Sequence, residues 1–63
     1  MRNAQIMQFF AYHHLKSQKM QDVSKKFKEL AEYVDKFDNT ESDVAIRKLL
    51  EAKDAAVRAA MMS

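Results

Sequence analysis

An all-α fold, built from several copies of the chain, is what this sequence predicts. Three observations carry that prediction. Proline and glycine are both absent from the 63 residues. No stretch sustains the period-2 alternation of a strand. And Met20, Val23, Phe27, Leu30, Val34 and Phe37 recur at spacings of three and four, the a/d seam of a packing helix. The expected architecture is a short N-terminal helix followed by an antiparallel two-helix hairpin, assembled into a homo-oligomeric helical bundle within a single domain.

The first element, from about residue 3 to residue 13, takes Ile6, Met7, Phe9 and Phe10 as its apolar face. The second begins at Ser17, a good N-cap residue, and carries the seam to about residue 37, roughly 30 Å of helix. Asp38, Asn39 and Thr40 form the turn, since their side chains compete with the helical backbone. Thr40 with Asp43 resembles a capping box, with Asp in place of Glu. The last helix, from about residue 41 to residue 60, has Ala45, Leu49, Ala52, Ala56 and Ala59 on one line. Ile46, Leu50 and Val57 widen that line. Alanine permits close approach but buries little area, so a lone hairpin leaves apolar surface in water.

Size points the same way. A chain this short buries only about 60% of its unfolded surface. With no cysteine there is neither a disulfide nor a thiolate metal site. Small chains without staples gain core by oligomerising. No segment reads as a signal peptide or as the roughly 20 apolar residues of a membrane span.

Charge is uneven. Residues 1–30 hold six cations against two acids, a net of +4, and residues 31–63 hold five cations against seven acids, a net of −2. The basic half also contains "FFAYHHLKSQK", Phe9 to Lys19, with three aromatic rings and two imidazoles. Such a cluster suits a small anionic ligand, or more weakly a nucleic acid. A head-to-tail contact between opposite halves explains the charge equally well.

Catalysis has little support, because no nucleophile stands with a His–acid partner set and no Gly-rich phosphate loop exists. His13 and His14 are adjacent, a spacing that rarely binds one ion in helical geometry, so no metal is expected. On a helical wheel Lys25 lies nearly opposite the seam, whereas Lys26 falls about 70° from its centre, on the rim of the packing face. A rim lysine is more often a snorkelling side chain than a ligand contact. Tyr12 is a ring where the first helical pattern ends, and it offers a face on which a base could stack, worth about 1–3 kcal/mol.

"FAYHHL", "KKFKELAEYVDKF" and "AIRKLLEAKDAAVRAA" together resemble the small tailed-phage proteins that act as anti-CBASS sponges. The resemblance runs from about Phe9 to Ala60. Its most specific parts are Phe10-Ala11-Tyr12-His13 and Ala45-Ile46-Arg47-Lys48. It implies a compact all-helical homohexamer in the host bacterial cytoplasm, without enzymatic activity or cofactor. Such a protein binds cyclic dinucleotides such as cyclic GMP-AMP between protomers and denies them to host effectors. Some members also hold cyclic trinucleotides. The resemblance further implies that Tyr12 stacks on a base and that a lysine of the second helix meets phosphate. Lys26 is the first choice for that lysine, Lys25 the fallback and His13 a neighbour. Family members often carry prolines after the Tyr-His pair, where this chain has His14 and Leu15. Two other readings stay open: an oligomerisation module without a small-molecule ligand, and a weak nucleic-acid binder.

Overall fold

The computed structural model describes residues 3–63. α1 (Ala4–Met7) runs on into a 3-10 turn at Gln8–Phe10. α2 is Gln18–Asp35 and α3 is Thr40–Met62. The described residues contain no strand, and the chain is all-α. The long axis of 35 Å is the length expected of the 23 residues of α3 at about 1.5 Å per residue. Among the described residues, no helix is long and apolar enough to cross a membrane.

The termini of the elements follow from their caps. Ser17 is the N-cap of α2, its Oγ accepting from the Met20 amide at 3.1 Å. The capping box of α3 lies one residue earlier than Thr40–Asp43. Asn39 Oδ1 accepts from the Ser42 amide at 2.8 Å, and Ser42 Oγ accepts from the Asn39 amide at 2.9 Å. Asparagine caps at least as well as threonine, so Thr40 becomes the first helical residue. Asp38 completes the turn at φ 49°, in the left-handed region. In a chain without glycine, an Asp is among the residues that enter this region most readily.

The first helix is shorter than expected. Regular structure ends at Phe10, because Ala11 turns extended at ψ 142°. Residues 11–17 form an irregular connection, closed by the Leu15 amide on the Tyr12 carbonyl at 3.1 Å. Gln21 Nε2 donates to the Leu15 carbonyl at 2.8 Å and ties that connection to α2.

The core is small. Phe10, Ala31 and Ile46 are fully buried, with Ile6, Met7, Phe27, Val34, Leu49 and Leu50 partly buried around them. Phe10 thus docks the N-terminal segment onto the hairpin, and Ala31 lets α2 and α3 approach closely. On α2 the buried line is Ser24, Ala31 and Asp35, about 90° round the helix from the centre of the apolar seam. Leu30 and Phe37 of that seam are therefore exposed, at 47% and 59%. On α3, Ser42 and Ile46 are buried while Ala52 and Ala59 are exposed.

Because α2 and α3 are antiparallel and both right-handed, these two leftover lines face the same side of the hairpin. Lys19 Nζ on α2 donates to Ser63 Oγ at 2.9 Å across that side. The N-terminal segment covers the other side: Asn3 Nδ2 donates to Asp35 Oδ1 at 2.7 Å and to Asp43 Oδ1 at 3.0 Å. The hairpin thus has one face covered by its own chain and one face left bare.

Candidate functional site

The connection at residues 11–17 presents the aromatic cluster. Extended Ala11 lifts the chain off the 3-10 turn just after Phe10 is buried. Tyr12 is half-buried, while His13 and His14 are exposed. The Tyr12 and His13 rings lie 4.2 Å apart between centroids, tilted by 37°. Lys28 of α2 holds its Nζ 5.5 Å from the centroid of the Tyr12 ring. A cation over a tyrosine face contributes about 0.5–1 kcal/mol at an exposed site. Lys28 as a whole is half-buried.

The residues singled out from the sequence fall on two sides of α2. Tyr12 and His13 are together, on the side of the hairpin covered by the N-terminal segment. Lys25 is exposed and about 60° round the helix from Lys28, one turn earlier. Lys26 is also exposed but lies about 160° from Lys28, on the side that carries Leu30 and Phe37. Tyr12 and Lys26 of one chain therefore face apart. On the wheel Lys28 lies well away from the apolar seam, so the rim criterion that selects Lys26 sets Lys28 aside. The signal that could have found it is the i, i+3 relation of Lys25 and Lys28, which places two cations on one strip of surface.

A concavity of about 350 Å³ lies at the open end of the hairpin, lined by Ser17, Lys19, Met20, Ala60, Met61 and Ser63. Its one cation, Lys19, already donates to Ser63. It contains none of the Tyr12 cluster. Among the described residues, no three His, Cys, Asp or Glu side chains are grouped to hold a metal ion. Chemically, the Tyr12 cluster offers a ring for stacking and cations for an anion.

Comparisons with protein-family models, with curated proteins and with solved structures each found no match.

Proposed function

We propose that the protein binds cyclic dinucleotides and holds them without cleaving them, in the manner of the phage anti-CBASS sponges its sequence resembles. Acting in the host bacterial cytoplasm, it would withhold a messenger such as cyclic GMP-AMP from immune effectors. The observation that supports this reading best is the Tyr12 ring, half open to solvent, with Lys28 and His13 against it. A purine base stacks on such a ring whatever its sequence context, and a lysine meets the phosphodiester by a charge-assisted hydrogen bond.

Assembly belongs to the same proposal. The bare apolar face of the hairpin invites further copies of the chain, a homohexamer by resemblance. Lys26 sits on that face, so it reaches a ligand on Tyr12 only from a second copy. The bare face also favours a second reading, an oligomerisation module without a small-molecule ligand.

Thermal melting with and without cyclic GMP-AMP separates the two. A ligand that binds only the folded protein raises the melting temperature in proportion to ln(1 + [L]/Kd). The sponge reading expects a rise that keeps climbing with the logarithm of ligand concentration above Kd, and intact cyclic nucleotide on chromatography after the protein is denatured. An unchanged melting temperature at millimolar ligand would leave the oligomerisation module. A linear product accumulating with time would overturn the non-enzymatic part.

A further inference from the structure

We infer that the hairpin has a second packing, reached without any ligand by turning α2 and α3 against each other, and that the N-terminal segment is the strap that holds it in the first.

α2 and α3 meet on their more polar lines. Ser24 is fully buried and Asp35 is 5% exposed, yet Ser24 Oγ and Asp35 Oδ2 have no hydrogen-bond partner. Lys53 lies two turns on from Ile46, on the same inward line of α3. Its side chain is only 12% exposed, and its ammonium turns aside to Asp54 at 2.9 Å. A buried polar atom without a partner is unfavourable. Leu30 and Phe37 of the apolar seam meanwhile stand exposed, as do Ala52 and Ala59 of α3. Local pattern and observed packing conflict here, and such a conflict marks a fold with a competing arrangement.

The competing arrangement is already in register. From Met20 to Val34 the seam of α2 steps by 3, 4, 3 and 4 residues, and from Ala59 back to Ala45 the line of α3 steps by 3, 4, 3 and 4. Read antiparallel, Val23 falls opposite Ala56, Phe27 opposite Ala52 and Leu30 opposite Leu49. The observed register agrees to within a turn of helix: one Asn3 amide holds Asp35 beside Asp43, and Ser17 and Ala60 line one concavity. Neither helix therefore has to slide, and the turn at residues 36–39 stays. Each helix rotates by about a quarter-turn on its own axis. Because the helices are antiparallel, the two rotations run in opposite senses in space, as in meshed cogs. The seam is then buried, and Ser24, Asp35 and Lys53 move toward water.

The strap opposes this rotation. Phe10, fully buried, clusters with Ala31 of α2 and Ile46 of α3. Asn3 grips Asp35 of α2 and Asp43 of α3 with one amide. Both contacts bridge the two helices, so counter-rotation pulls them apart. The irregular connection at residues 11–17 lets the segment leave without unwinding α2. With the strap docked the seam faces outward, and with the strap released it faces inward. Docking of the N-terminal segment thus decides which surface the hairpin presents.

Disulfide trapping on the full chain tests this. The chain has no cysteine of its own, and a bond forms only where Cα atoms come within about 7 Å. Ser24→Cys/Lys53→Cys reports the observed packing, and Val23→Cys/Ala56→Cys reports the rotated one. In the otherwise unchanged chain the first pair should oxidise faster. Phe10→Ala should raise the rate of the second pair relative to the first by about tenfold or more and make it the faster one. It should do so within single chains that keep their helical circular dichroism. Asn3→Ala, which leaves Phe10 in place, should move the ratio in the same direction by a smaller factor. An unfolded chain closes the two loops about equally, so loss of structure brings the ratio to one and no further. A helical Phe10→Ala chain in which Ser24→Cys/Lys53→Cys stays the faster pair would overturn the inference. So would Val23→Cys/Ala56→Cys linking separate chains instead of closing within one. Should Phe10→Ala lose its helicity, Asn3→Ala decides alone: a folded chain whose ratio does not move overturns the inference.

Discussion

Asn3 Nδ2 donates to the Asp35 Oδ1 of α2 at 2.7 Å, a contact between residues 32 positions apart that is buried from water. The same amide reaches Asp43 at the start of α3. One side chain therefore pins the N-terminal segment across both arms of the hairpin, beside its turn. Asp35 is 5% exposed, and its other oxygen has no hydrogen-bond partner. Asn3→Ala strips the remaining partner from a buried carboxylate, which costs about 1–3 kcal/mol. Chemical denaturation should read that loss as a lower midpoint with an unchanged slope. Asn3→Asp should be worse, since it sets a third carboxylate against the other two.

Ser24 makes the opposite prediction. It is fully buried in the face α2 turns inward, and its Oγ has no partner. Burying a hydroxyl without a hydrogen bond is unfavourable, and alanine is also the better helix former. Ser24→Ala should stabilise the fold by about 1 kcal/mol. A destabilised variant would mean that the hydroxyl has a partner after all.

These two residues also mark how far the sequence could be read. The all-α class, the Ser17 cap and the three elements were legible, because a chain without Gly or Pro leaves the 3–4 spacing of apolar residues as its dominant signal. Which part of a wide apolar arc packs inside the protomer was not. The wheel centres on Val23, Phe27 and Leu30, yet the inward line is Ser24, Ala31 and Asp35. Phe10, docking from the N-terminal segment, decides that rotation, and a long-range contact of this kind leaves no local periodicity. The turn after α2 was legible as a turn, but Asn39 won the cap over Thr40 because both residue types are competent. Tyr12 could be picked out as a ring at a joint. Its partner Lys28 could not, since the wheel was referred to the wrong face.

Assembly is tested best at Leu30, which is 47% exposed and outside the protomer's own core. Leu30→Asp should leave the chain helical and cooperative in melting. It should reduce the assembly to the 7.4 kDa protomer in light scattering, because a buried unpaired charge costs several kcal/mol. Phe27→Asp, which strikes the protomer's own packing, should lose folding as well. A wild type that already scatters as a monomer at micromolar concentration would contradict the proposed assembly.

Lys26 and Tyr12 face apart within one chain, so a shared ligand requires two copies. Tyr12→Ala and Lys26→Ala should each weaken cyclic dinucleotide binding, by about tenfold if each loses about 1.5 kcal/mol. Unfolding the two variants together and refolding them as a mixture should restore a fraction of full-affinity sites, where an intact Tyr12 meets an intact Lys26 across an interface. If the mixture binds no better than either parent, Lys26 does not act across the interface.

The most direct test of the central claim is calorimetric titration of the wild-type protein with a panel of cyclic di- and trinucleotides, with linear dinucleotides as controls. The account predicts saturable binding of at least one cyclic dinucleotide, tighter than its linear counterpart, with a stoichiometry below one ligand per chain because each site is shared between copies. No heat of binding with any cyclic nucleotide, against a folded and assembled protein, would contradict it.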